Sequence, residues 1–367
     1  MKSERIALLS ATLEGGGAER VIVTLANSLY RSGYNVEVVL VNAVGSYLSE
    51  LDVGLKVVNL SASRVFFALP ALMKYLKSTS PHTLLATQGH VNALAIFSRI
   101  LTRSSVRVLA REANTHSVNA IHGVSWKSKG VNLVVEYLYK YADAIIAPSH
   151  GVADDLIEHT NVDVSKVSII SNPLDLEMIH ALANEQIRLP FNVNETPMIL
   201  GVGRLTKQKN FDLLIRAFAK VSEAVNYKLV ILGDGEEREQ LERLILELNL
   251  NDKVLLPGFV ENPFSYMKQA TVFVLSSRFE GLPNALLQAV AVGVPVVATD
   301  CPSGPKEILD NGRWGRLVPV DDSTSMKEAI LAGINGDIEA LPSGVVTSRY
   351  GMAAVRDDYL SLIFSSN

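Results

Sequence analysis

Arg204, Lys209 and Glu280 are the residues whose types and settings can do chemistry. The loop Arg204-Leu205-Thr206-Lys207-Gln208-Lys209-Asn210 gathers cations just ahead of a helical stretch. Arg204 can grip a phosphate in a bidentate fork and Lys209 can act as a point charge, so the pair can clamp a diphosphate. A second stretch, Arg278-Phe279-Glu280-Gly281-Leu282-Pro283-Asn284, puts one carboxylate directly before a helix start. A helix start presents backbone N–H donors and the positive end of the dipole to a phosphate. A carboxylate beside it can hold the hydroxyls of whatever that phosphate carries. A third stretch, Gly15-Gly16-Gly17, follows an N-terminal strand and lets the backbone approach a ligand closely. It lacks the spaced glycines of a dinucleotide fingerprint, and no acid sits well after the next strand, which argues against a nicotinamide nucleotide. His116, in the polar loop after the strand Val106–Arg111, can contact a substrate. For each of these loops, plain solvation is the alternative.

The elements that must position these residues alternate regularly. Short apolar, β-branched runs such as Arg5–Ser10, Asn35–Val41, Ala144–Ala147, Lys228–Leu232 and Ala270–Leu275 read as buried parallel strands. Stretches of helical spacing separate them, including Val21–Ser32, His90–Leu101, Val131–Tyr141, Asn210–Val221 and Asn284–Val292. Asn210 is expected to cap its helix, and Pro283 suits a first helical position. Arg64–Ser78 is amphipathic and reads as one helix. It suits a membrane surface or, preferentially, an ordinary place against a sheet. The fold class is therefore α/β, two doubly wound Rossmann-like domains with ligands in a cleft between them. A less regular stretch from Asp175 to Glu195 sets the domains at 1–175 and 176–350, with a C-terminal helix in 351–367 placed to pack back on the first domain.

Composition narrows the function. The 367 residues are 48% hydrophobic and carry a net charge of -4, enough for two large cores and against a nucleic-acid partner. Cys301 is the one cysteine, which rules out an intrachain disulfide and fits a cytoplasmic setting. No signal peptide is evident at the N-terminus, and no apolar run is long enough to span a bilayer. Residues 1–175 hold 16 basic and 14 acidic side chains against 18 and 24 in the remainder. That slight basic excess suits peripheral contact with the inner face of a membrane.

Taken together, Gly16-Gly17-Ala18-Glu19-Arg20, Gly203-Arg204-Leu205 with Lys209-Asn210, Gly233-Asp234-Gly235, Arg278–Asn284 and Gly293–Asp300 resemble the retaining glycosyltransferases of family 4, which have the GT-B fold. The resemblance spans nearly the whole chain. It implies a hexosyltransferase that takes a nucleotide-diphosphate sugar, a UDP-sugar first, and passes the sugar to a polyprenyl-diphosphate-linked or polysaccharide acceptor. It implies no cofactor and no bound metal, in keeping with the lack of an Asp-x-Asp motif. Arg204 and Lys209 would neutralise the diphosphate leaving group, with Gly203 in the same motif. The backbone of Gly281, Leu282, Pro283 and Asn284 would add donors, and Glu280 would bind the donor sugar. Gly16 and Gly17 would approach the donor or acceptor, and His116 is the nearest match to a histidine of the first domain. The family's Glu-x7-Glu pair ends here in Gln288, which keeps an acceptor for the ribose but loses charge assistance. A nucleotide-sugar epimerase of the same fold and a non-catalytic nucleotide-sugar-binding protein are the rival readings.

Overall fold

The computed structural model describes residues 2–115, 137–186, 189–193 and 195–365. The chain divides into two compact units, residues 1–173 with 350–367, and residues 174–349. The first unit is built on β1 (Lys2–Ser10), β2 (Tyr34–Leu40), β3 (Lys56–Asn59), β4 (Thr83–Thr87), β5 (Arg107–Arg111), β6 (Ala144–Ala147) and β7 (Val167–Ile169). Their spatial order is β3-β2-β1-β4-β5-β6-β7, with every described pairing parallel. Ile6, Ala7, Leu8 and Leu9 are all fully buried, because helices cover both faces of the sheet. On one face Leu72, Leu76, Leu94 and Ala95 pack on the strands. On the other, Ile22, Leu25 and Leu29 pack with Val355, Tyr359 and Ile363 of the terminal helix Met352–Ile363.

The second unit holds β8 (Met198–Val202), β9 (Lys228–Leu232), β10 (Val254–Gly258), β11 (Ala270–Leu275), β12 (Val296–Thr299) and β13 (Arg316–Val318), in the parallel order β10-β9-β8-β11-β12-β13. The strand order reverses between β8 and β11, where Leu200 pairs with Phe273. At such a switch point neighbouring loops diverge at the strands' C-terminal edge and leave room for a ligand. The loops that follow β8 and β11 carry Lys209 and Glu280. Sheet pairing makes neighbours of groups 71 residues apart in the chain.

Four local expectations change. Arg64–Ser78 is not one helix: Val65–Ala68 forms a 3-10 turn, and the α-helix runs Leu69–Thr79 with Pro70 in its first turn. Proline has no N–H and its ring clashes with the preceding turn, so it starts a helix here instead of continuing one. The stretch after Asp175, expected to be irregular, opens with a helix, Leu176–Ala183, whose Met178 N–H donates to the Asp175 carboxylate at 3.0 Å. Asn210 stands at the start of its helix but does not cap it. It adopts a left-handed φ of 52°, and its side-chain amide donates to Asp321 at 2.8 Å. Pro283 occupies the cap position, one residue before the helix Asn284–Val292. Most of the helix expected at Val131–Tyr141, and His116, lie outside the described residues. No helix among the described residues is long and apolar enough to cross a membrane.

Candidate active site

The site in the second unit centres on one ion pair. Lys209 Nζ lies 2.5 Å from Glu280 Oε1, with side chains only 17% and 6% exposed. The Ser277 hydroxyl donates to the same carboxylate oxygen at 2.6 Å. The β11 loop that carries Glu280 is fastened from both neighbours. On the β8 side, Gln208 Nε2 donates to the Phe279 carbonyl at 2.9 Å, and the Ser276 hydroxyl donates to the Lys209 carbonyl at 2.8 Å. On the β12 side, the Glu280 N–H donates to the Pro302 carbonyl at 2.7 Å and the Ser303 N–H donates back to the Glu280 carbonyl at 3.0 Å. Thr299 Oγ1 donates to the Ser277 carbonyl at 2.5 Å. The carboxylate is thus held rigidly, and a group fixed in this way loses little entropy when it meets a ligand.

Arg204 is placed differently. It is exposed, and no hydrogen bond or ion pair engages its guanidinium among the described residues. Its loop is shaped by glycines. A Cβ at Gly203 would come within 3.3 Å of the Lys209 stem, so glycine leaves the lysine room to cross its own loop toward Glu280. A Cβ at Gly235 would stand 2.4 Å from the Leu205 carbonyl oxygen. Gly233, at φ 132°, would place one 2.0 Å from the Gly203 carbonyl oxygen. The Gly233-Asp234-Gly235 turn therefore backs the cationic loop, and the Leu205 N–H donates to the Asp234 carbonyl at 3.0 Å. Gly233→Ala is expected to cost about 2–4 kcal/mol of stability, since both the φ and the contact are unfavourable. Denaturant unfolding measures it, and a variant as stable as the parent would show that this backing is slack.

The helix Asn284–Val292 begins directly after the Glu280 loop, with no side chain capping it. Gly281, Leu282 and Pro283 are buried in the connection. A Cβ at Gly304 would strike Pro283 Cδ at 2.7 Å, so that glycine sets how closely the β12 loop fits against the helix start. Gln288 lies one turn beyond Asn284. Both are half-buried, whereas Leu286, Leu287, Ala289 and Val290 turn inward. Cys301, beside this loop, has its thiol pushed up to about 12 by burial, helped by the charge of Glu280. It stays protonated and is no nucleophile.

In the first unit the glycine loop lies between β1 and the helix Gly17–Arg31, with Gly16 at the cap position. A Cβ on Gly16 would meet a Glu19 carboxylate oxygen at 2.1 Å. Glu19 folds back over its own helix start and also accepts from Gln88 Nε2 at 3.2 Å. Arg20 is committed locally: it pairs with Glu50 and lies 3.7 Å above the Tyr47 ring, while the Tyr47 hydroxyl donates to the Gly15 carbonyl at 3.2 Å. The glycine loop is thereby fixed from below.

The structure thus brings together Lys209, Glu280 and the Gly281–Asn284 connection, with Gly203 as a spacer. Sequence reading passed over Ser277, Gln208, Thr299, Ser303 and Asp321. Only Ser277 had a local signal, three residues before Glu280. The others act across strand pairings that no spacing reveals.

Comparison with known proteins agrees with the fold. The profile described as Glycosyltransferase Family 4 matches residues 15–178, and that described as Glycosyl transferases group 1 matches residues 184–340. The chain is 34% identical over 342 residues to a Campylobacter jejuni protein named N-acetylgalactosamine-N,N'-diacetylbacillosaminyl-diphospho-undecaprenol 4-alpha-N-acetylgalactosaminyltransferase, covering 91% of each chain. It is 26% identical over 345 residues to a second C. jejuni protein, an alpha-1,4-N-acetyl-D-galactosaminyltransferase named for an undecaprenol-linked glycan, covering 91% of this chain and 89% of the other. Among solved structures, Anabaena HepE in complex with UDP-glucose shares the fold, with a TM-score of 0.82 at 17% identity over 98% of this chain and 99% of that one.

Proposed function

The chain belongs to the family 4 glycosyltransferases, and from that premise we propose that it moves a sugar from a nucleotide-diphosphate donor to a lipid-linked glycan acceptor, with retained anomeric configuration and no metal. The observation that carries this reading is the buried Lys209–Glu280 pair at the β8/β11 switch point, directly ahead of a helix start that has no side-chain cap. Departure of the nucleoside diphosphate concentrates negative charge on the leaving oxygens. Cations already in place beside that charge lower the barrier more than they stabilise the bound donor. Lys209 is the preorganised cation, and Arg204, exposed and unpaired among the described residues, is the one that adjusts to the phosphates. Glu280 offers its carboxylate to the donor sugar's hydroxyls. The Gly281–Asn284 backbone lies where a helix start favours the diphosphate. Gln288 contacts the ribose. A retaining, front-face transfer needs no enzyme nucleophile, and Cys301 is unfit to be one.

The lipid-linked acceptor is supported by the two C. jejuni relatives, each named for an undecaprenol-linked substrate. A UDP-sugar is the first donor to try, since UDP-glucose occupies the HepE structure of the same fold. The test is release of nucleoside diphosphate from UDP-, GDP- and ADP-sugars, UDP-N-acetylgalactosamine and UDP-glucose included, with and without a polyprenyl-diphosphate-linked acceptor. Turnover that depends on acceptor supports transfer, and no binding or turnover of any donor overturns it. Gln288→Glu is expected to tighten UDP binding severalfold, because a charged acceptor strengthens the ribose hydrogen bonds. Calorimetric titration reads it, and weaker binding would mean that repulsion from the diphosphate outweighs the gain.

A further inference from the structure

One surface of the first unit is both apolar and cationic, and the site described above makes no use of it. Phe66 and Phe67, on the 3-10 turn before Pro70, are 76% and 60% exposed. Their neighbours Ala68, Leu72, Tyr75 and Leu76 are buried, so the two phenylalanines turn away from the core that the rest of the segment joins. The turn packs against the helix Gly89–Thr102. That helix adds Phe97, Ile100 and Leu101, spaced i, i+3, i+4 and also exposed. Leu69, Pro70 and Met73 line a shallow depression beside the stems of Lys74 and Lys77. The opposite helical layer of the same sheet, Gly17–Arg31 and Met352–Ile363, exposes no large apolar side chain among the described residues. Exposed apolar groups are therefore concentrated on one layer, which solvation alone does not favour.

Charge separates the stretch that holds these two helical segments from the rest of the chain. From Val53 to Arg111 the chain carries eight Lys or Arg and no Asp or Glu, although acids outnumber bases 38 to 34 in the whole sequence. Half of these cations are committed elsewhere: Lys56 to Glu37, Arg99 to Asp143, Arg107 to carbonyls near the C-terminus, and Arg111 inside the core. Arg64, Lys74, Lys77 and Arg103 remain, all exposed and with no ion pair among the described residues. They flank the exposed apolar groups on the same two segments. Aromatic groups that enter the acyl boundary, ringed by cations at headgroup level, form the pattern of an interfacial helix.

We propose that the outer surface of this layer, centred on Phe66, Phe67, Lys74 and Lys77, docks on a bilayer that contains anionic phospholipid. The proposal deepens the reading of a lipid-linked acceptor and rests on it for its purpose, since an acceptor confined to a membrane is reached only by a protein that stays there. Its evidence, the placement of apolar and basic groups, is separate.

The test is flotation of the full-length protein with vesicles of phosphatidylcholine alone or mixed with phosphatidylglycerol. The parent is expected to float with the mixed vesicles and to bind phosphatidylcholine at least about tenfold more weakly, with added salt reducing the difference. Lys74→Glu with Lys77→Glu is expected to lower affinity for the mixed vesicles by more than about tenfold. Phe66→Ser with Phe67→Ser should weaken it about tenfold on apolar grounds. Phe259→Ser, at an exposed phenylalanine of the second unit, should change nothing. Turnover of a water-soluble, short-chain acceptor should be the same in all of them. Absence of parent binding to the mixed vesicles, or double variants that bind like the parent, overturns the proposal. So does a parent dimer that the phenylalanine variant dissociates, which would assign the surface to a second copy of this chain. Vesicle binding without turnover of any donor would remove the transferase reading and leave docking intact, while turnover on soluble acceptor without vesicle binding would do the reverse.

Discussion

Replacing Lys209 with alanine is expected to lower kcat by about a hundredfold to a thousandfold and to weaken UDP binding at least about tenfold. In the proposed transfer the lysine neutralises charge that grows on the departing diphosphate, and in the free protein it already holds the Glu280 carboxylate. Alanine removes both effects. It leaves a largely buried carboxylate with Ser277 as its remaining side-chain partner, so part of the loss is structural. A second variant separates the parts. Lys209→Met combined with Glu280→Gln removes the pair as a unit and should recover stability but not turnover, because removing both charges costs less than orphaning one. Thermal unfolding with initial rates reads both quantities. Near-parental turnover in Lys209→Ala would eliminate the lysine from leaving-group stabilisation.

Glu280→Gln is expected to have the next largest effect, with a different signature. Turnover should fall about a hundredfold, since the charge-assisted hydrogen bonds proposed from the carboxylate to the sugar would be lost. UDP binding should stay level or tighten, because UDP carries no sugar and Lys209 is released toward the phosphates. The contrast with Lys209→Ala follows from the 2.5 Å pair: the cation that serves a carboxylate in the free protein is the one proposed to serve the diphosphate in the complex. Parallel losses of UDP affinity and turnover in Glu280→Gln would mean that the carboxylate only braces the loop. The glutamine keeps the volume and one acceptor for Ser277, so the fold should tolerate it.

Much of the architecture was legible because it rests on local pattern. Runs such as Lys228–Leu232 and Ala270–Leu275 are apolar without alternation, which only strands buried on both faces tolerate, and they form β9 and β11. The loops between strands and helices were legible through Gly, Pro and charge. The departures come from interactions that local pattern cannot carry. Asn210 has a capping residue's type and position, but Asp321, 111 residues on, takes its side chain. Phe66 and Phe67 fit an apolar helical stripe by spacing, yet Pro70 starts the helix after them and leaves both in solvent.

The candidate site divides in the same way. Glu280, Arg204 and Lys209 were legible as candidates by residue type, a carboxylate at a helix start and cations in a loop after a strand, with plain solvation as the alternative for each loop. The sequence by itself determined which loops are candidates for the chemistry, because strand burial, turn formation and helix starts depend on near neighbours. Only the tertiary structure decided that Lys209 meets Glu280, that Ser277 shares the same oxygen, and that Gly203, Gly233 and Gly235 make room for backbone and lysine stem where a Cβ would intrude. The reason is the strand order β8-β11, a pairing between segments far apart in the chain, which places the two loops side by side at one edge of the sheet.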